Sequence, residues 1–193
     1  SDGKGGVNTY TVSVTVGANT PAVIGGVSSG AVTEDTSSPT LTTGGTLTIS
    51  DPDPSEAAFQ TSGITASNGA LGTLSIDADG VWSYSVDNAL VQYLGSGESK
   101  VETFTVRAVD GTEQQIEVTL YGVNDAPTAS DLTISGDFGV QQSGNLPTAS
   151  DVDGDAVSYA KASDPSHGTL TLQSDGQYLY TPEPGFSGQD SFS

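Results

Sequence analysis

A thirteen-residue phrase occurs twice in this chain. Gly72-Thr73-Leu74-Ser75-Ile76-Asp77-Ala78-Asp79-Gly80-Val81-Trp82-Ser83-Tyr84 returns as Gly168-Thr169-Leu170-Thr171-Leu172-Gln173-Ser174-Asp175-Gly176-Gln177-Tyr178-Leu179-Tyr180. Ahead of the first copy stands Ile49-Ser50-Asp51-Pro52-Asp53, and ahead of the second Ala149-Ser150-Asp151-Val152-Asp153. A third match joins Tyr10 to Gly17, followed by Asn19-Thr20-Pro21, with Glu117 to Gly122, followed by Asn124-Asp125-Ala126-Pro127. Self-similarity of this kind marks a tandem array in which one supersecondary unit is used repeatedly. The registers divide the chain into residues 1–21, the end of one repeat with its linker, residues 22–126, a complete repeat, and residues 127–193, the head of another. Linkers are expected at 17–21 and 122–127, where Gly and Pro stop strands.

Within the repeats the hydrophobic period is two. Tyr10, Val12, Val14 and Val16 share one face, with Thr9, Thr11, Ser13 and Thr15 on the other, so residues 7–16 are expected to form a strand. Trp82, Tyr84 and Val86 alternate in the same way, as do Phe104, Val106 and Ala108, and Ile116, Val118 and Leu120. Asp77-Ala78-Asp79-Gly80 is a hairpin turn in which Gly supplies a positive φ. One helical turn is expected at 88–94 with Asp87 as N-cap. Short strands with evenly spaced turn signals predict an all-β chain of tandem antiparallel Greek-key (Ig- or cadherin-like) β-sandwiches.

Composition narrows the function. Against 24 Asp and Glu stand only Lys4, Lys100, Arg107 and Lys161, for a net charge of −20. Such a surface repels nucleic acid and anionic membrane and attracts divalent cations. With no Cys there are neither disulfides nor thiolate metal sites. No apolar run approaches the ~20 residues of a membrane helix, so direct membrane insertion is not expected. The sequence contains no Met and opens on no leader, so it is expected to be a segment of a longer protein.

Carboxylates are the chief chemical resource. Asp151-x-Asp153-x-Asp155 begins as an EF-hand loop does, but Ala156 and Ala162 fill the positions that require Gly and Glu. Asp51-x-Asp53 fails likewise, with Glu56 and Ser62 at those positions. Asp77, Asp79 and Asp175 are explained as hairpin-turn acids. Asp125, Asp151 and Asp153 are better explained by metal if they meet at one junction, because carboxylates gathered there repel each other without a cation among them. Glu34 and Asp110 read equally well as ligands or as turn acids. His167 is the only histidine and lies in a Ser-His-Gly turn, with no Cys and no nucleophile motif near it, so it is read as structural. Glycoside cleavage would need two carboxylates across a cleft, which solvated turn acids do not provide. No diagnostic motif supports a Lys–Asn isopeptide bond at Lys100 or Lys161, and no enzyme is expected.

Taken in order, 30–35 (Gly-Ala-Val-Thr-Glu-Asp), 47–53, Phe59, 72–84, 104–111 and 122–127 resemble the VCBS repeat of giant bacterial adhesins, often RTX-type and type I-secreted. Residues 127–193, with Ser150-Asp151-Val152-Asp153-Gly154-Asp155, His167-Gly168-Thr169-Leu170, Tyr180-Thr181-Pro182 and Gly185-Phe186-Ser187-Gly188-Gln189-Asp190-Ser191-Phe192, resemble the bacterial cadherin-like repeat. The resemblance implies a non-catalytic, secreted extender region that is Ca²⁺-dependent. It also implies which acids serve. Asn124 and Asp125 of the linker would meet Asp151, Asp153 and Asp155 of the following repeat and Glu34 of the preceding one. A weaker upper junction would use Asp51, Asp53 and Asp110 with Asn19, where Asn19-Thr20-Pro21 lacks the acid found at Asp125.

The expected function is therefore a Ca²⁺-rigidified spacer of a large bacterial surface adhesin, serving adhesion or biofilm formation at the cell surface, with neighbouring repeats as its partners. The alternative is a module that binds glycans or a partner protein through its loops, for which Tyr93, Tyr121, Phe138 and Phe186 are the aromatics outside the strand pattern. A further expectation is head-to-tail self-association, even into fibres. Residues 7–16 would then supply a strand to the C-terminal repeat of another copy, where Phe192 aligns with Phe104.

Overall fold

The computed structural model describes residue 3 and residues 10–193. Residues 23–121 build a two-sheet sandwich. One sheet has the order β1–β3–β6–β5, from β1 (Val23–Gly26), β3 (Thr40–Ser50), β6 (Val81–Asp87) and β5 (Thr73–Ile76). The other has the order β2–β8–β7–β4, from β2 (Ser29–Thr33), β8 (Glu113–Tyr121), β7 (Ser99–Arg107) and β4 (Thr65–Ala66). This is the immunoglobulin-like division of strands, with the first strand split between the sheets. The split falls at Gly26, whose φ is +88° and where a Cβ would meet the Thr46 carbonyl oxygen at 2.5 Å. Only glycine fits such a crossing. Beyond it, β2 joins β8 in parallel, from Ser29↔Glu117 to Thr33↔Tyr121. The sandwich is thus antiparallel except for this one pair, which period-two patterning could not foresee.

The alternating residues do face inwards. Trp82, Tyr84, Val86, Phe104, Val106, Ile116, Val118 and Leu120 form one core with Leu41, Leu47 and Phe59. The hairpin β5–β6 closes through Gly80 at φ +88°. Asp87 caps a 3-10 turn, Asn88–Leu90, by accepting from the Ala89 amide at 3.0 Å; this turn is shorter than the patterning suggests.

A second unit follows, with β9 (Gln142–Asn145), β10 (Gly168–Leu172) and β11 (Gln177–Pro182) in the order β10–β11–β9. The pairing β10–β11 repeats β5–β6, and an isolated Thr128–Ser150 bridge repeats Val23↔Ser50. Residues 10–16 form no strand, in contrast to the expectation; Tyr10, Val12, Val14 and Val16 stand 73–87% exposed. They carry the strand pattern but pair with no strand among the described residues. Residues 7–9 of the expected strand lie outside the described residues.

Candidate cation sites at the junctions

The repeated phrase is held in place by a carboxylate. Glu102, fully buried on β7, accepts from the Leu71 amide (2.6 Å), the Gly72 amide (3.2 Å) and the Tyr84 hydroxyl (2.9 Å). In the second unit Asp190 accepts from the amides of Ser166 and His167 (both 2.8 Å) and from the Tyr180 hydroxyl (2.9 Å). Gly72 and Gly168 recur because each tyrosine ring lies over the glycine. A Cβ would come within 2.2 Å of the Tyr84 ring in one copy and 2.5 Å of the Tyr180 ring in the other. Sequence reading missed this clamp. Its signal was Glu102-Thr103-Phe104 against Asp190-Ser191-Phe192. Burial pushes the Tyr84 hydroxyl far above its ordinary pKa, and Glu102 adds to the effect. Burial alone would raise the Asp190 carboxyl, but the amides of His167 and Ser166 and the Tyr180 hydroxyl outweigh it and hold the group low.

The central junction gathers acids from three places. Glu34, at the end of β2 and 1% exposed, presents Oε1 to the Val123 amide. Asp125 of the linker donates its amide to Asp153 Oδ2 at 2.8 Å, and the Asp153 amide donates to Asp151 Oδ1 at 3.0 Å. Carboxylate oxygens of Glu34, Asp125 and Asp153 lie within 4.8 Å of one another, as do those of Asp151, Asp153 and Asp155. Glu34 Oε2, Asp125 Oδ2 and Asp153 Oδ1 are each buried without a hydrogen-bond partner. Burial raises the Glu34 carboxyl above its ordinary pKa against the Val123 hydrogen bond, and Asp125, Asp35 and Asp153 push it further. Asp125 is raised by burial and then by Asp35, Asp153 and Asp151. Three like charges with unpaired buried oxygens are costly unless a cation satisfies them. Two oxygens on opposite sides of one Ca²⁺, each at 2.3–2.6 Å, lie about 5 Å apart, so this spread fits the ion.

The upper junction repeats the backbone of this arrangement with a poorer donor set. The Thr20 amide donates to Asp53 Oδ2 at 2.6 Å and the Asp53 amide to Asp51 Oδ1 at 2.8 Å. Asp51, Asp53 and Glu56 come within 4.8 Å, leaving Asp51 Oδ2 and Glu56 Oε2 buried and unpaired. Glu56, passed over in sequence because it spoils an EF-hand, is raised by burial and then by Asp51, Asp53 and Asp110. Asp110 is engaged otherwise. It accepts from the Thr112 hydroxyl and amide (2.6 and 2.8 Å) and from the Ala22 amide (2.8 Å), and these bonds hold its carboxyl below the ordinary range. Asn19 and Asn124 are exposed, and the Asn124 side chain donates to the Asp125 carbonyl. His167 stacks on Phe186 at 4.4 Å between ring centres, and Lys161 pairs with Asp164.

Bacterial cadherin-like domains match this sequence twice, over residues 19–122 and again over 124–193. The chain belongs to the bacterial cadherin-like domain family. Both units thus match the same family. Sandwiches of this family are typically non-catalytic and extracellular, and acidic clusters suited to cations are present here at both junctions. No described helix is long and apolar enough to cross a membrane. No curated protein matches the chain. Among solved structures, an endo-fucoidan hydrolase of glycoside hydrolase family 107 is similar at 22% identity and a TM-score of 0.28, over 67% of this chain and 24% of that one. An I-band fragment of titin is similar at 12% identity and a TM-score of 0.30, over 91% of this chain and 64% of its own. The chain spans less than two thirds of either, and at these scores neither bears on function.

Proposed function

We propose that this cadherin-like chain is a Ca²⁺-rigidified spacer of a large bacterial surface adhesin of the RTX, VCBS-bearing kind. It would act outside the cell to hold a distal adhesive region away from the surface and so support adhesion or biofilm formation. The observation that carries this reading is the convergence of Glu34, Asp125 and Asp153 from a strand end, a linker and the following unit, each with a buried oxygen lacking a partner. Glu34, Asp125, Asp151 and Asp153 would hold the ion, which supplies positive charge and fixes the linker against both units. At the upper junction Asp51, Asp53 and Glu56 offer a smaller set, and weaker binding is expected there. Calorimetric melting in Ca²⁺ and in EDTA tests the reading. An ion bound only by the folded state at a hundredfold excess over Kd stabilises by about 2.7 kcal/mol, and Mg²⁺ should restore little of it because it demands tight octahedral geometry. Identical curves in Ca²⁺ and EDTA would refute it.

A further inference from the structure

β2 is an edge strand: among the described residues β8 is its one neighbour in the sheet. Of its five side chains just Val32 is buried, so the strand rests on a short backbone ladder and one apolar contact. At one end of the ladder the Glu117 amide donates to the Ser28 carbonyl at 3.0 Å, and at the other the Glu34 amide donates to the Tyr121 carbonyl at 3.1 Å. Positive φ values at Gly26 (+88°) and Asp35 (+58°) bound the segment. Asp35 is itself tied to the turn after β6, where its amide donates to Asn88 Oδ1 and its Oδ1 accepts from the side chains of Asn88 and Gln92. Residues 28–34 thus form a piece that can lift off β8 between two held points.

One end of this piece covers the tryptophan. Trp82 donates its indole N–H to the Val27 carbonyl at 2.7 Å, and a Cβ on Gly30 would stand 2.9 Å from the edge of its ring. Glu34 lies four residues further on, about 13 Å along a strand. That other end carries a buried acid. Glu34 is 1% exposed, and its Oε2 has no hydrogen-bond partner among the described residues, while oxygens of Asp125 and Asp153 lie within 4.8 Å. Without a cation, outward movement of Glu34 relieves both the burial and the repulsion. Glu34 cannot move out without drawing the end of β2 off Tyr121. Opening a thinly packed edge also needs less free energy than opening the core.

We propose that a cation at the central junction also locks β2 onto β8, so that its removal frees residues 28–34 and uncovers Trp82 while the rest of the sandwich stays folded. The inference rests on the cation reading above and extends it, because the ion then acts inside the first sandwich as well as between the units. The test compares the 193-residue chain in CaCl₂ and in EDTA, well below its melt. In EDTA, acrylamide should quench Trp82 about twofold more strongly, with its emission shifted to the red. The Glu34 and Glu117 amides should exchange about tenfold faster, with the β7–β8 ladder unchanged. Glu34→Gln removes the charge and should keep Trp82 shielded and both amides protected in EDTA. Quenching and exchange that do not respond to EDTA overturn the proposal. So does equal acceleration across β7 and β8, or a Glu34→Gln variant that opens in EDTA as the wild type does. Calorimetric titration with Ca²⁺ separates the two readings: binding without any change at Trp82 overturns this inference alone, whereas absence of binding overturns both.

Discussion

Replacing Glu34 by Gln should have opposite effects with and without Ca²⁺. The side chain is 1% exposed, and its Oε2 has no partner among carboxylates that approach within 4.8 Å. Two unit charges at that separation repel by about 3 kcal/mol at an effective dielectric of 20. Partial protonation relieves some of that penalty. A glutamine keeps Oε1 for the Val123 amide and turns a donor towards the remaining acids. A gain of about 1–2 kcal/mol is therefore expected in EDTA, or several degrees in Tm for a domain of this size. In Ca²⁺ the balance reverses. Losing an outer-shell partner alone weakens a metal site about 10–100-fold, and losing a direct ligand costs at least that. A hundredfold loss removes about 2.7 kcal/mol of ion-linked stability. The chain's one tryptophan, Trp82, is buried in the first sandwich beneath β2, so its fluorescence reports the melt of the affected unit. The variant should melt above the wild type in EDTA and below it in saturating Ca²⁺. If it melts lower in both, Glu34 is a structural hydrogen-bonding residue and the cation argument at this junction fails.

Asp153→Ala should leave the Trp82 melt of the first sandwich nearly intact but make small-angle scattering in Ca²⁺ resemble that of the wild type in EDTA; an unchanged scattering profile would exclude Asp153 as the residue fixing the junction. Glu102→Gln keeps one acceptor oxygen but turns an amide either towards the Leu71 N–H or towards the Gly72 N–H and the Tyr84 hydroxyl, so a loss of about 2–4 kcal/mol is expected by urea denaturation, and Tyr84→Phe should be markedly non-additive with it in a double-mutant cycle. Because burial and neighbouring acids raise the Glu34 and Glu56 carboxyls above their ordinary 4.5, the folded state binds more protons than the unfolded one just above that value. In EDTA the Tm should therefore rise as the pH falls from neutrality towards about 5, whereas in Ca²⁺ it should fall as protons displace the ion. Asp110 and Asp190, held below their ordinary 3.8, reverse the EDTA trend only in stronger acid.

Much of the sandwich was legible in the sequence because period-two alternation decides which face of a strand is buried, and Trp82, Phe104 and Ile116 each carried that pattern without interruption. The acids at the central junction were legible because a motif fixed their order. What was illegible depended on contacts between residues distant in the chain. The parallel β2–β8 pair arises from a crossing at Gly26, which no alternation of side chains marks. Glu102 alternates with Phe104 on the inward face of β7, and a carboxylate there conflicts with patterning until Tyr84, Leu71 and Gly72 are seen around it. Residues 10–16 show the converse: the alternation is intact, but they are paired with no strand among the described residues.

The parallel pairing of β2 with β8 determines how the first sandwich carries load. The chain enters it through β1 and β2 and leaves through the end of β8, so tension drags β2 and β8 past one another along their lengths. In an antiparallel pair pulled from one end, hydrogen bonds would break singly and in succession, as a zipper opens. Here the register pairs from Ser29↔Glu117 to Thr33↔Tyr121 are strained together and must yield together. Resistance to pulling is set by the height of that barrier rather than by equilibrium stability. A unit built in this way can therefore be mechanically stronger than its melting temperature suggests, and Gly26, which lets the first strand change sheets, is the residue on which that strength depends.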